Sequence, residues 1–248
     1  MLYANRYELQ AKNYELTPTS QTLNKMYPYI KRFFDITSSL IALITLSPLL
    51  IPIIICLKLT GEGYIWYLQE RVGYKNKKFK IYKFATMLKD SPNMPGGLIT
   101  VKNDPRLTPL GGFLRKTKIN ELPQLINILK GDMSVVGPRP VMPQSFEIYP
   151  VEVQNVIYNV KPGLTGIGSI VFRDEEALIT QIKEQGGDTW DYYKNTIYPY
   201  KGKLEQWYQS NQSLYTDLMC VLMTIWVIFS PKSQLIFKVF ENLPKRQC

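Results

Sequence analysis

The chain has 248 residues, a formal net charge of +10 and no histidine. The missing imidazole excludes Ser-His and Cys-His nucleophile pairs and a histidine proton shuttle. With 45% apolar and 20% charged residues the composition is that of a folded chain, and its basic excess points to an anionic partner: a phospholipid surface, a nucleic acid or a phosphorylated substrate. Cys56, Cys220 and Cys248 lie far apart without ligand spacing, so neither a disulfide framework nor a zinc site follows.

Residues 1–28 mix Tyr, Asn, Gln, Thr and Lys without a sustained apolar period and read as an arm, not as a signal peptide. The string KRFFD at 31–35 then leads into an apolar run, residues 36–60, broken by Ser47-Pro48 and again by Pro52. About 24 residues of helix cover roughly 36 Å, enough to cross a hydrocarbon core. Each proline removes a helix N–H and crowds the carbonyl four residues back, so the run is expected to kink at Ser47 and Pro48. Positive charge flanks both ends, with Lys31 and Arg32 before and Lys58, Arg71 and a lysine cluster after, and both flanks favour the cytoplasmic side. A re-entrant hairpin over 29–60 that dips into one leaflet satisfies these constraints; a kinked span and the core helix of a soluble domain are the alternatives. Lys31 and Arg32 read either as snorkelling flank residues or as a clamp on a lipid phosphate.

Residues 61–176 read as a cytoplasmic catalytic domain. Its first part, YIWYLQERVGYKNKKFKIYKFATM, alternates as two strands around a Gly-Tyr-Lys-Asn turn, with Trp66 and Tyr67 at headgroup level. Residues 91–97 hold two prolines and two glycines and form a loop. The stretch from Ile99 to Pro140 concentrates charge, glycine and proline around a short apolar helix at 122–129, and the chemistry is expected here. Arg106, Arg115, Lys116, Lys118 and Arg139 could neutralise a pyrophosphate, while Asp104, Glu121 and Asp132 could hold a divalent cation between its oxygens. Walker and GxGxxG patterns are absent. A second Gly/Pro loop, KPGLTGIG at 161–168, precedes Arg173 and three acidic residues; it reads as a flap over substrate or as a turn before a helix. Residues 177–248 read as a helical, membrane-associated region: polar helices to 213, an apolar interfacial or core helix at 214–229, and a basic amphipathic tail. The fold class expected is α/β, mostly helical with a small strand pair, in a monotopic membrane protein with a kinked re-entrant helix and amphipathic interfacial helices. Aromatic residues interleave with lysine at 64–84, but no helix-turn-helix, RRM or zinc pattern accompanies them, so nucleic acid is set aside. Self-association is left open.

KRFFD, the Ser-Pro-broken helix, FKIYKFATM, DPRLTPLGGFLRKTKINELPQLINILKGDMSVVGPRP and PGLTG together resemble the bacterial sugar transferases, the monotopic polyprenyl-phosphate phosphoglycosyl transferases. The likeness covers roughly residues 31–176 and extends weakly into WYQSNQSLYTDL at 207–218. It implies an enzyme on the cytoplasmic face of the bacterial inner membrane. Such an enzyme moves a sugar 1-phosphate from a nucleotide diphosphate sugar, usually a UDP-sugar, to polyprenyl phosphate with Mg²⁺. Nucleoside monophosphate is released, and capsule, exopolysaccharide, O-antigen or glycoprotein glycan assembly begins. It also implies an adjacent Asp-Glu pair, whose aspartate attacks phosphorus and whose glutamate places the metal.

Two positions depart from that pattern. Asn120 precedes Glu121 where the aspartate would stand, and Ala85 replaces an arginine of the strand motif. A neutral amide cannot form an acyl phosphate. Four accounts stay open at Asn120 and Glu121: attack by Glu121, attack by Asp104 or Asp132, direct attack by polyprenyl phosphate, or an inactive member that binds polyprenyl phosphate or nucleotide sugar and scaffolds glycan-assembly enzymes.

Overall fold

The computed structural model describes residues 18–94 and 104–246, apart from the side chains of 18–25, 92 and 176. Most of the N-terminal arm, the 95–98 part of the Gly/Pro loop, residues 99–103 of the charged block and Cys248 lie outside the described residues.

The apolar run belongs to one helix, α1, Pro18–Leu59, which includes Pro28, Pro48 and Pro52. Pro48 has no N–H for the carbonyl of Ile44, four residues back, and the Ser47 hydroxyl donates to that carbonyl instead, at 2.7 Å. Along α1, Leu43, Leu46, Leu50, Ile53 and Leu57 pack against Phe84 and Leu114 of the globular part. Phe33, Ile41, Ile44, Ile51 and Ile55 face outward, exposed. Among the described residues this is the one helix long and apolar enough to cross a membrane.

The alternating stretch forms an antiparallel hairpin, β1 (Trp66–Val72) and β2 (Lys78–Phe84), in which Trp66 pairs with Phe84 and Val72 with Lys78. The turn is a 3₁₀ turn, Tyr74–Asn76, with positive φ at Lys75 and Asn76. The charged block folds as α2 (Gly111–Lys116), a 3₁₀ turn Ile119–Glu121, and α3 (Gln124–Lys130), which ends on Gly131 at φ +92°.

Beyond it come β3 (Ser134–Val136), α4 (Pro143–Phe146), α5 (Val151–Gln154) and β4 (Gly163–Thr165). The strands β3 and β4 pair in parallel, so the second Gly/Pro loop is partly a strand and a second strand pair joins the one expected. Next are α6 (Ile167–Val171), α7 (Glu175–Glu184), α8 (Thr189–Tyr192), α9 (Tyr198–Ser210), α10 (Leu214–Phe229) and α11 (Ile236–Val239). A π turn, Tyr193–Ile197, joins α8 to α9.

The largest core lies between α6, α9, α10 and the tail, where Ile167, Leu204, Tyr208, Cys220, Ile236 and Phe240 are buried. The tail therefore turns its apolar residues Ile236, Phe240 and Leu243 into the protein. On α10 the opposite side, Leu218, Leu222, Ile225 and Phe229, stays exposed.

The KRFFD string joins these parts. Arg32 donates to the Ile128 and Leu129 carbonyls at 2.6 and 2.9 Å, closing the C-terminal end of α3. Buried Asp35 accepts from the Ser134 hydroxyl at 2.9 Å and the Val135 N–H at 2.8 Å. Lys31 pairs with Asp217 of α10 at 2.6 Å, and the Tyr27 and Tyr208 hydroxyls donate to the same carboxylate at 2.9 and 2.7 Å.

Candidate functional site

The site begins with the edge of β2. Asn127 of α3, fully buried, accepts from the Tyr82 N–H and donates to the Lys80 carbonyl, each at 2.9 Å, so its amide stands in for a neighbouring strand. That double bond fixes α3 against the hairpin and brings the preceding Ile119–Glu121 turn beside β2. Lys83 Nζ then lies 3.2 Å from Glu121 Oε1.

The other wall is the Gly-Pro-Arg-Pro loop after β3. Backbones approach so closely that a Cβ on Gly166 would lie 2.1 Å from the Gly137 carbonyl oxygen, and one on Gly137 would lie 2.4 Å from that of Lys161. The loop runs beside β1: the Val72 N–H donates to the Val141 carbonyl at 2.9 Å, and Arg71 donates to the Pro140 carbonyl at 3.2 Å. Buried Tyr158 fastens it, its hydroxyl donating to the Arg139 carbonyl at 2.8 Å and accepting from the Val141 N–H at 3.0 Å. Arg139 reaches back to Glu121 Oε1, at 2.8 Å.

Lys83 and Arg139 thus share one carboxylate, and Arg71 joins them in lining a small concavity with Ile81, Gln124 and Pro140. Burial alone would raise the Glu121 carboxyl; the charges of Arg139, Lys83 and Lys118 outweigh it and hold the group far below the usual carboxylate range. Burial, reinforced by Arg139 and Arg71 and opposed by Glu121, brings the Lys83 ammonium down to about 8. Among the described residues, Arg71 Nε is buried without a partner, a charged donor that an oxyanion would satisfy. Asn120 is also buried, and its Oδ1 lacks a partner among the described residues.

Of the residues expected from sequence, Glu121, Asn120 and Arg139 come together here. Asp104 and Arg106 instead pair with each other, both buried, at 2.6 Å. Asp132 lies beyond the far end of α3, with Lys130 at 3.7 Å and the Asn127 amide at 3.4 Å. Lys31 and Arg32 are held in the joints described above, Arg115 is half-buried and Lys116 exposed in the last turn of α2, and Arg173 is half-buried before α7. No group of three Asp, Glu or Cys that could hold a metal occurs among the described residues.

Arg71 and Lys83 were not singled out by sequence, because a lysine-rich stretch reads as a solvated face. Strand parity was the available signal: Lys83 shares alternation with Phe79 and buried Ile81, and Arg71 pairs with Phe79 across the hairpin.

The bacterial sugar transferase family matches residues 26–231. The chain is 32% identical over 210 residues to the exopolysaccharide production protein ExoY of Rhizobium meliloti, covering 79% of this chain and 83% of ExoY. It is 35% identical over 208 residues to a UDP-N-acetylgalactosamine-undecaprenyl-phosphate N-acetylgalactosaminephosphotransferase of Aeromonas hydrophila, covering 83% of this chain and 45% of that protein. It is 34% identical over 215 residues to an undecaprenyl-phosphate galactose phosphotransferase of Salmonella typhimurium, covering 81% of this chain and 40% of that protein. The chain thus spans most of ExoY and less than half of the other two.

Proposed function

Starting from the chain's membership of the bacterial sugar transferase family, we propose that it transfers a sugar 1-phosphate from a UDP-sugar to polyprenyl phosphate, releasing UMP, as the initiating step of a surface glycan. The observation that carries this reading is that Arg71, Lys83 and Arg139 line one concavity, Lys83 and Arg139 paired with Glu121 and Arg71 Nε left without a partner among the described residues. Guanidinium groups take phosphate oxygens in pairs and an ammonium adds a point charge, so the cluster suits a diphosphate.

In the net reaction an oxygen of the acceptor phosphate becomes bonded to the sugar-bearing phosphorus. The bond from that phosphorus to the bridging oxygen breaks, and its electron pair leaves on UMP. Arg71, Lys83 and Arg139 stabilise the charge that gathers on those oxygens. Glu121, ionised throughout, keeps Lys83 and Arg139 aimed at the same point.

The residues present also fit Mg²⁺. Such an ion takes one or two carboxylates together with substrate phosphates and water, and Glu121 supplies the carboxylate beside Asn120, whose amide oxygen lacks a partner among the described residues. Glu121 would hold it, and when bound it supplies positive charge to the diphosphate oxygens.

The setting is the cytoplasmic face of the inner membrane, with α1 re-entrant. Contacts of Arg32, Asp35, Leu50 and Leu57 with the same globular domain support this, since a helix docked near both ends to one domain cannot hand its ends to opposite sides. The exposed apolar faces of α1 and α10 then meet lipid.

A second reading is binding without transfer, favoured by the amide at Asn120. Purified protein in nanodiscs, given a panel of UDP-sugars and a short polyprenyl phosphate, is expected to release UMP with one or more of them. Binding of UDP-sugar with no UMP from any would establish the second reading.

A further inference from the structure

Strand parity puts Tyr67, Gln69 and Arg71 of β1 on the same face of the hairpin as their partners Lys83, Ile81 and Phe79 of β2. Arg71, Ile81 and Lys83 line the concavity, so Gln69, directly opposite Ile81, stands beside it. Its amide is engaged at both ends: Oε1 accepts from Arg71 Nη2 at 2.5 Å, and Nε2 donates to the Met142 sulfur at 3.3 Å. Arg71 Nη1 in turn donates to the Pro140 carbonyl at 3.2 Å. The guanidinium is planar, so anchors on both Nη atoms fix its plane, and Nε remains, buried without a partner among the described residues.

We infer that Gln69 is a positioning residue: it holds the Arg71 guanidinium by a neutral acceptor, fixing its orientation at the concavity while leaving its charge for a phosphate oxygen. Through Met142 the same amide ties β1 to the end of the Gly-Pro-Arg-Pro loop, so the strand that carries Arg71 and the loop that carries Arg139 keep one spacing. The inference rests on the phosphate-binding reading of the Arg71, Lys83 and Arg139 cluster.

An ionised carboxylate at position 69 would accept from Arg71 equally well, but it would cancel the charge, as Asp217 does for Lys31 and Asp104 for Arg106. It would also offer Met142 no donor. An aliphatic side chain would leave Arg71 Nη2 without its acceptor. Among side chains of this length, glutamine supplies acceptor and donor together without a charge.

The test uses the full chain in nanodiscs, with pyrophosphate binding read by calorimetry and stability by thermal unfolding on the same samples. Gln69→Glu keeps the size and the acceptor, so its unfolding midpoint is expected to match or exceed wild type while pyrophosphate binds about tenfold more weakly, as for one charged hydrogen bond cancelled. A purely structural role would leave the affinity of so stable a variant untouched. Gln69→Leu should weaken binding about threefold, and in an Arg71→Met background neither substitution should change affinity by more than about twofold. Wild-type affinity in Gln69→Glu would overturn the inference, as would an undiminished effect in the Arg71→Met background. Should Gln69→Glu fail to fold or unfold earlier, Gln69→Leu decides, and unchanged or tighter binding there overturns the inference. A wild type that binds no pyrophosphate would instead refute the phosphate reading of the cluster on which the inference stands.

Discussion

The KRFFD joint and the Glu121 cluster are both basic, yet their charges are arranged in opposite ways. At the joint, Arg32 faces two carbonyls, Lys31 faces Asp217, and Asp35 faces a hydroxyl and an N–H. At the cluster, Lys83 and Arg139 share one carboxylate, and beside them a guanidinium N–H of Arg71 is left without a partner among the described residues. Residue type is the same in both regions. What separates a structural joint from an anion site is whether the protein itself completes the charge balance.

The largest expected effect that sharpens this contrast is Glu121→Gln. It leaves Lys83 and Arg139 without their counter-charge, and UMP release in nanodiscs should fall at least about a hundredfold. Retained turnover would remove Glu121 from the reaction.

Next comes pH. Lys83 titrates at about 8, below the ordinary lysine range, so its positive charge is present at neutral pH and is lost as pH rises through that value. Pyrophosphate affinity should therefore fall by about tenfold between pH 7 and 9.5, as for one charged hydrogen bond lost, and Lys83→Met should flatten the profile. Calorimetric titration across that range checks it.

A smaller change is expected at the joint. Asp35→Ala strands the Ser134 hydroxyl and the Val135 N–H, costing about 1–3 kcal/mol of stability. Thermal unfolding in nanodiscs should show a lower midpoint, with pyrophosphate affinity unchanged. Loss of affinity there would break the distinction between joint and site. The smallest effect belongs to exposed Lys116: Lys116→Ala should alter pyrophosphate affinity by less than about twofold, as for exposed charges generally.

What could be read from sequence follows the range of the interactions involved. The β1–β2 hairpin and α10 carry their own periodicity, and both stand where the pattern places them. Ser47 beside Pro48 likewise makes the local bond that its position suggests. The β3–β4 pair has no such signature, since three residues are too few for alternation and the pairing depends on glycines that let distant loops touch. At the site, Glu121 and Arg139 stood out because they lie in a dense charged block. Arg71 and Lys83 lie on strands, and their value depends on a contact between β2 and α3 set by the buried amide of Asn127.

The amide of Asn127 has one more effect. A two-stranded hairpin offers an open edge to any passing strand. By occupying the Lys80 carbonyl and the Tyr82 N–H, that side chain takes up at its middle the β2 edge to which an incoming strand would otherwise pair.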